Sequence, residues 1–304
     1  MNRLPQEKPY IDVVSWYVLV VGYSEVLELE SIGDKHVIKI WAGYLENFNL
    51  LSETVFLAEN HDDVEFYQSI TEIYQSATDN GKIKLVFEPR GGGGHTTVAE
   101  YNSIQNRRDR LCLCILDSDF RYQGSSHGQT CSAVMRIDDP LQPLCVVHTL
   151  QVREIENLIP TSFYAEAVTG DPNREKALQS LVEIESVASG KARHFVDLKK
   201  GHRLYELLSV SSDSPKYQYW KSILEALGTS IVCAAPNHCN RREECICVTF
   251  FGFGDAILRY LLNFIKQKKA VGTPLQIDAK TQDEWRECCE LIIAWCCGST
   301  PIAT

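Results

Sequence analysis

The stretch "VFLAENHDDVEFYQSI", residues 55–70, places a group of acids directly behind an apolar run. Residues 55–58 are apolar, Glu59 follows at once, and three more acids come before residue 66. The apolar run predicts a buried strand, and the helical spacing of apolar residues from Val64 to Tyr74 predicts a helix after it. A carboxylate at the tip of a buried strand is unfavourable unless a cation, a hydrogen bond or a helix end compensates its charge. Glu59 is therefore a candidate functional residue.

Outward from this stretch, strand and helix patterns alternate. Further strands are predicted at "KIKLVFEP", "RLCLCILDSDF" and "PLCVVHTL", and a further helix in "GGGGHTTVAEYNSIQN". The alternation predicts an α/β fold with a parallel sheet covered by helices over residues 55–205. Residues 1–54 carry short β-like runs and a Gly33-Asp34 turn, which predict a small antiparallel leader sheet. Residues 206–304 are predicted to be mainly helical, with a cysteine-rich loop.

Composition excludes several classes of protein. The 304 residues are 44% hydrophobic and 23% charged, which is typical of a globular chain. No apolar run approaches the length of a membrane span, and the N-terminus lacks the apolar core of a signal peptide. We therefore expect a cytoplasmic protein with mostly reduced or metal-bound cysteines. The net charge of −10 argues against a broad non-specific nucleic-acid surface and is compatible with a local basic groove.

Acids follow two of the predicted strands. Glu59 ends the first, and Asp117 and Asp119 end the third in an Asp-x-Asp pattern. The carboxyl ends of parallel strands meet at one edge of a sheet, so we expect these three side chains to converge there. Carboxylate oxygens suit Mg²⁺ or Mn²⁺. The acids of residues 62–65 have a second interpretation, since Asn60 is a good N-cap and acids favour the first helical turn.

"AENHDDVEFY" followed by "LDSDF" resembles the TOPRIM domain, the metal-binding core of topoisomerases, primases and OLD-family nucleases. The family pattern is Glu-Gly-x-x-Asp after the first strand and Asp-x-Asp after the third. Glu59, Asp63, Asp117 and Asp119 match it, while Asn60 stands where the family has glycine. Asn tolerates positive φ better than most residues, so we expect the turn to survive this departure.

Two later stretches narrow the resemblance. "VREIENLIP", residues 152–160, and "HFVDLKKG", residues 194–201, are similar to segments of the TOPRIM effector of PARIS-type anti-phage defence. The resemblance implies that Glu154 and Glu156 add a second metal site or a base, and that Lys199 or Lys200 neutralises a scissile phosphate. A charged strand end followed by a proline stop is the alternative interpretation of the glutamates.

The resemblance implies a Mg²⁺- or Mn²⁺-dependent nuclease, released from an ATPase partner and acting on nucleic acid, with structured RNA favoured over DNA and a homodimer as the active form. Glu59, Asp117 and Asp119 would hold the metal, with Glu154 as a further ligand. Three alternatives stay open: an OLD-like DNA nuclease, primase-like or topoisomerase-like nucleotidyl transfer, and a non-catalytic metal-binding subunit of an ATPase complex.

Glycines and basic residues supply weaker signals. "PRGGGGHTTV", residues 89–98, lacks the Gly-Lys-Ser/Thr of a P-loop, although its backbone N–H groups are candidates for phosphate binding. Candidate phosphate contacts form two clusters, which are Lys191, Arg193, His194, His202 and Arg203, and Arg107, Arg108 and Arg110.

Twelve cysteines occur in the chain. Cys233, Cys239, Cys245 and Cys247 fall within fifteen residues with His238, which predicts a structural Zn²⁺ site, although the usual Cys-x-x-Cys pairs are missing. Ordinary thiols are the alternative. Three cysteines in predicted strands are expected to pack in the interior as small hydrophobic residues: Cys112, Cys114 and Cys145. Four more fall on a C-terminal helix, where packing or a partner interface is expected: Cys288, Cys289, Cys296 and Cys297.

Overall fold

The computed structural model describes residues 14–22, 25–47, 49–78, 83–233 and 245–298. The chain divides into two compact units, each made of separate stretches of sequence. The first unit comprises residues 1–116, 129–149 and 283–304, and the second comprises 117–128 and 150–282. These two units do not correspond one to one with the three segments predicted from the sequence. The division into three segments stays a prediction.

A small three-stranded sheet begins the first unit. Its strands are β1 (Trp16–Val21), β2 (Leu27–Ile32) and β3 (Lys35–Trp41), in the order β1-β3-β2, and a short helix α1 (Tyr44–Asn47) follows. β2 and β3 form the predicted antiparallel hairpin around Gly33, which has a φ of 66°. The expected antiparallel arrangement is wrong for β1, which pairs with β3 in parallel. Residue patterning indicates which segments are extended, but it does not define the direction of a neighbouring strand.

The main sheet of the first unit has four parallel strands in the order β5-β4-β6-β7. They are β4 (Thr54–Ala58), β5 (Phe87–Gly91), β6 (Cys112–Leu116) and β7 (Cys145–Thr149). All residues of the two central strands, β4 and β6, are buried, as expected for a sheet covered on both faces. The predicted α/β architecture with a parallel sheet is confirmed. Cys112, Cys114 and Cys145 are buried here, as predicted.

Three helices follow strands of this sheet: α2 (His61–Ala77), α3 (His95–Arg107) and α4 (Gln129–Ile137). The first two are predicted from the sequence, and α4 is not. The predicted stop of α2 at Asn80-Gly81 lies outside the described residues.

Helices dominate the second unit. They are α5 (Thr161–Ala167), α6 (Pro172–Glu185), α7 (Leu204–Leu208), α8 (Pro215–Ala226) and α9 (Ile257–Ala270). Two short antiparallel strands, β8 (His202–Arg203) and β9 (Val248–Phe250), pair beside them. The predicted mainly helical C-terminal part of the chain is confirmed for its described residues. None of the helices in the described part of the chain is long and apolar enough to cross a membrane.

The last helix, α10 (Gln282–Cys296), packs on the main sheet of the first unit. The Thr54 hydroxyl donates to the carbonyl of Trp295 at 2.7 Å, and the Val86 N–H donates to the carbonyl of Cys296 at 2.7 Å. Leu85 forms an antiparallel bridge with Cys297. Because residues 85–86 pair with the end of α10, β5 begins at Phe87 and not at the predicted residue 82. The predicted interior packing is confirmed for Cys288, Cys289 and Cys296.

Glycines 91–93 join β5 to α3 through close backbone contacts. A Cβ on Gly91 would lie 2.6 Å from the backbone nitrogen of His61. The Gly92 N–H donates to the Ala58 carbonyl at 3.0 Å, and the Gly93 N–H donates to the Glu59 carbonyl at 2.5 Å. These two N–H groups are therefore engaged, and they are not the phosphate donors suggested by the sequence. The loop instead fixes the backbone that carries Glu59.

The substitution Gly91→Ala tests this packing. The added methyl group would force the start of α2 away from β5, so we expect a loss of about 1–3 kcal/mol in the free energy of unfolding, measured by chemical denaturation. Gly22→Ala is the control, because a Cβ at Gly22 would meet no heavy atom within 4 Å. Equal stability of the two variants would contradict the close approach.

Candidate functional site

The loop after β6 is held by hydrogen bonds to backbone carbonyls within the second unit. The Asp119 N–H donates to the Arg153 carbonyl at 2.8 Å, and the Ser118 hydroxyl donates to the Val152 carbonyl at 2.6 Å. Asp119 has a φ of 56°, in the left-handed region that Asp tolerates better than most residues. A Cβ on Gly128 would lie 1.9 Å from Asp119 Oδ2. Gly128 is therefore required for the observed position of the Asp119 carboxylate.

Residues 152–158 form the second part of the site. A 3₁₀ turn (Ile155–Leu158) begins after Glu154, whose N–H donates to the side-chain oxygen of Asn157 at 2.9 Å. The Ile155 N–H donates to Asp117 Oδ1 at 3.0 Å, which joins this turn to the Asp-x-Asp loop. Glu154 and Glu156 are only 7% and 2% exposed. Two carboxylates are thus held in the interior of the unit, where their charge requires compensation.

Asn157 and Arg193 hold this turn against residues 193–200. The Asn157 amide donates to the carbonyls of Arg193 and Val196 at 2.7 and 3.0 Å. In return, the Arg193 guanidinium donates to the carbonyls of Asn157 and Ile159 at 3.2 and 2.7 Å. The two stretches singled out by the family resemblance are therefore bonded to each other through buried side chains.

Asp197 provides a further link. Its carboxylate accepts from Arg153 at 2.9 Å and from the Lys200 N–H at 2.7 Å, while its own N–H donates to His202 Nε2 at 3.0 Å. Gly201 follows with a φ of 69°, and a Cβ there would lie 2.3 Å from the Phe250 carbonyl. Tight packing against β9 therefore requires glycine at this position.

Lys199 contacts both buried glutamates, and Arg153 Nε lies 3.2 Å from Glu154 Oε1 as a second cation. The Lys199 ammonium lies 3.1 Å from Glu154 Oε2 and 3.4 Å from Glu156 Oε2. Burial by itself lowers the pKa of Lys199, but the carboxylates of Glu156, Glu154 and Asp117 outweigh it and raise that pKa well above its ordinary value. Lys199 is therefore protonated throughout the physiological pH range. The side chain of Lys200, by contrast, is exposed.

We call this group of side chains the acidic cluster: Asp117, Asp119, Glu154, Glu156, Asp197, Arg153 and Lys199. Its carboxylates outnumber its cations. Burial and the neighbouring Glu154 carboxylate raise the pKa of Asp119, although Arg153, Arg121 and Lys199 act against this shift. Excess negative charge around half-buried oxygens is a property of sites that accept a further cation.

Glu59 and Asp63 belong to the first unit. Asn60 is the N-cap of α2, and its N–H donates to Asp63 Oδ2 at 2.9 Å, so the capping interpretation of Asp63 is confirmed. Asn60 has a φ of −133°, so the expectation of positive φ at this position is wrong and glycine is not required there. The prediction that Glu59 joins Asp117 and Asp119 in one metal site stays a prediction.

The predicted basic clusters are largely engaged in ion pairs and hydrogen bonds. Arg193 is fully buried, and its guanidinium contacts Glu185 at 2.5 Å, so it is not a phosphate ligand. Arg110 pairs with Glu88, and hydrogen bonds from Arg110 and Arg90 lower the pKa of that carboxyl. Sequence shows where positive charges cluster, but it does not show which of them the fold neutralises.

The cysteine-rich loop is described in part. Cys233 Sγ and Cys247 Sγ lie 3.7 Å apart in the second unit. Cys245 is buried, and its Sγ lies 3.7 Å from the Cys247 carbonyl oxygen. Cys239 and His238, the other predicted zinc ligands, lie outside the described residues.

Three of the residues that build the site were absent from the predicted set: Arg153, Asp197 and Gly128. Arg153 and Asp197 stand inside the two resembling stretches, so a search for oppositely charged partners within them would have found this pair. Gly128 has no signal in the sequence, because its role depends on how closely Asp119 approaches it.

Over the residues that the structure describes, no three Asp, Glu, His or Cys side chains are grouped so as to hold a metal ion. Comparisons with protein-family models, with curated proteins and with solved structures found no match. The functional assignment therefore depends on the chemistry of the acidic cluster and on the sequence motifs.

The substitution Arg193→Met separates a structural role from phosphate binding. It would leave the buried Glu185 carboxylate with Lys280 and Thr161 but without Arg193, and would remove the donors to two buried carbonyls. We expect a loss of about 3–5 kcal/mol in the free energy of unfolding, measured by chemical denaturation. Lys191→Met, at an exposed neighbour, is the control and should change stability by less than about 0.5 kcal/mol. A stable Arg193→Met protein would contradict the structural assignment.

Proposed function

We propose that this chain is a magnesium-dependent nuclease that hydrolyses phosphodiester bonds. The observation that carries the proposal is the contact of Lys199 with Glu154 and Glu156, beside a turn that is hydrogen-bonded to Asp117. Three separate motifs thereby supply carboxylate oxygens and a protonated lysine to one cluster. Phosphodiester hydrolysis uses this combination, in which oxygen ligands hold a metal ion and a cation stabilises the charge on the phosphate.

The donor chemistry of the acidic cluster fits Mg²⁺ or Mn²⁺, which prefer carboxylate oxygens. Asp117 and Asp119 would hold the ion, because Glu154 and Glu156 already contact Lys199. The raised pKa of Asp119 supports this assignment, since a bound cation would stabilise its ionised form. Glu59 is proposed as a third ligand on the family motif alone. When bound, the ion would activate water and stabilise the leaving oxygen.

Lys199 is proposed to contact the scissile phosphate. Its side chain is 28% exposed, so its ammonium can be reached from solvent while Glu154 and Glu156 hold it in place. We therefore propose that the two glutamates position Lys199, in place of the second metal site or base expected from the resemblance. The Lys199 ammonium would then contact both the glutamates and the substrate phosphate. The attraction between the ammonium and the phosphate grows as negative charge develops on the phosphate during cleavage.

The substrate and partner follow from the family resemblance. We propose structured RNA, such as transfer RNA, as the substrate, and an ATPase as the partner that keeps the nuclease silent until it is released to act as a homodimer. The net charge of −10 supports weak nucleic-acid binding by the isolated chain, because phosphate neutralisation supplies most non-specific affinity.

A non-catalytic metal-binding subunit of an ATPase complex is the second candidate. The observation in its favour is that Lys199 neutralises two carboxylates, while the described residues present no group of three metal-binding side chains. The two candidates differ in one measurement, which is metal-dependent cleavage by the purified chain.

Asp119→Asn tests the catalytic proposal. Asn tolerates the left-handed backbone at this position and removes the charge, so the fold should be at least as stable in metal-free buffer. We expect Mg²⁺-dependent cleavage of transfer RNA or plasmid DNA to fall to background, with the exposed Asp213→Asn as control. Undetectable cleavage by the wild-type chain, alone or after release from its ATPase, would favour the non-catalytic candidate. Cleavage of plasmid DNA with intact transfer RNA would favour the OLD-like alternative.

Lys199→Met and Lys200→Met form a matched pair that distinguishes the two predicted lysines. We expect Lys199→Met to lower kcat by about 10²–10³, because a contact that strengthens in the transition state is lost, and Lys200→Met to leave kcat nearly unchanged. Lys199→Arg, which keeps the charge, should restore part of kcat. Single-turnover cleavage rates measure all three. A larger loss from Lys200→Met would reverse the assignment.

A further inference from the structure

The loop of residues 119–128, in the second unit, carries a pair of aromatic rings beside the acidic cluster. The ring centroids of Phe120 and His127 lie 4.7 Å apart, with an angle of 40° between the ring planes. Phe120 directly follows Asp119 in the sequence. His127 precedes Gly128, where an added Cβ would clash with the Asp119 carboxylate. Both rings therefore belong to residues that adjoin this carboxylate or its closest backbone neighbour.

Hydrogen bonds close the loop without a contribution from the two rings. The Gly128 N–H donates to the Ser118 carbonyl at 2.8 Å, and the Arg121 N–H donates to the Ser125 hydroxyl at 2.9 Å. The indole of the buried Trp220 donates to the Arg121 carbonyl at 2.9 Å. These bonds make the loop a fixed support for its side chains. The two rings are half-buried, so part of their surface is exposed to solvent.

Arg121 adds a positive charge to the same loop. Its side chain is exposed, and its charge acts against the raised pKa of Asp119, as expected of a cation near that carboxylate. Proteins bind single-stranded nucleic acid with this combination, in which aromatic rings stack on bases and cations contact the phosphates. The faces of paired bases are covered by the neighbouring pairs of the duplex, so stacking on a protein ring requires an unpaired base.

We propose that the loop is a nucleotide-binding subsite, in which an unpaired base stacks on the Phe120–His127 pair and Arg121 contacts an adjacent phosphate. This inference rests on the proposed function, because it places the subsite next to the carboxylate that would hold the metal ion. It names the substrate class as a strand that is unpaired at the point of cleavage, either a single strand or a loop of structured RNA. A continuous duplex would first have to open a base pair, which costs free energy.

Packing within the loop is the competing role of the aromatic pair. For packing alone, an apolar side chain of similar volume serves as well as a ring. Stacking on a base, in contrast, requires the planar face of an aromatic side chain. The substitution Phe120→Leu therefore separates the two roles, because it keeps apolar volume and removes the ring.

Fluorescence anisotropy in metal-free buffer tests the subsite independently of cleavage. The probes are a labelled single-stranded RNA, a single-stranded DNA of the same sequence, and the duplex of that DNA. We expect the wild-type chain to bind single strands about tenfold more tightly than duplex, and Phe120→Leu to lose that preference. The tighter of the two single strands identifies the sugar that the substrate carries. Tyr217→Leu, at another half-buried aromatic residue of the second unit, is the control and should bind like the wild type.

Two further variants separate the base contact from the phosphate contact. Phe120→Trp keeps an aromatic face and should retain the preference for single strands. Arg121→Met should weaken the binding of all three probes and reduce the dependence of log Kd on log salt concentration by about one.

Three results would overturn the proposal: no detectable binding of single strands by the wild-type chain, equal binding of single strands by the wild type and Phe120→Leu, and an equal loss for single strands and duplex. If Phe120→Leu fails to fold, ultraviolet crosslinking of the wild-type chain to a single strand that contains 5-iodouracil replaces that comparison. A crosslink at Phe120 or His127 supports the subsite, and crosslinks confined to other residues contradict it.

The binding assay and the cleavage assay can fail separately. A wild-type chain that cleaves no nucleic acid but shows the Phe120-dependent preference for single strands would contradict the nuclease proposal and leave the subsite intact. Cleavage that is lost in Asp119→Asn, together with unchanged single-strand binding by Phe120→Leu, would contradict the subsite and leave the nuclease proposal intact.

Discussion

Burial of the Glu154 and Glu156 carboxylates is the constraint on which the second unit depends. Two buried negative charges close in sequence are strongly unfavourable unless cations and hydrogen bonds compensate them. Lys199 provides the cation to both. Lys199 can only do so because Asn157 and Arg193 bind the turn to residues 193–200 through their exchanged hydrogen bonds.

The same compensation gives the cluster its chemical character. Lys199 is held in its protonated form by its neighbours, so its charge is constant across physiological pH. Asp119, in contrast, is held beside Glu154 with an elevated pKa, so its ionised form is the one that a metal ion would stabilise. Lys199 thus supplies a positive charge, while the Asp119 carboxylate is stabilised by binding a cation. This is the division of roles that we propose for cleavage.

Patterns of apolar residues predicted much of the fold and part of the site. β4 and α2 follow from "TVFLAENHDDVEFYQSI", because strand and helix periods differ plainly there. The direction of β1 and the late start of β5 could not be predicted, since they depend on β3 and on the end of α10, which are distant in sequence. The burial of Arg193 was missed for a similar reason. Nothing in the sequence around Glu185, its ion-pair partner, indicates that this helix glutamate is buried.

The central claim is that the acidic cluster binds a divalent metal ion at Asp117 and Asp119 while Lys199 remains with its glutamates. Anomalous diffraction from crystals soaked in Mn²⁺ measures this directly. We expect a manganese peak bound by the carboxylates of Asp117 and Asp119, with the Lys199 ion pairs intact. A map with no manganese at these two aspartates, at Mn²⁺ concentrations that saturate cleavage, would contradict the claim.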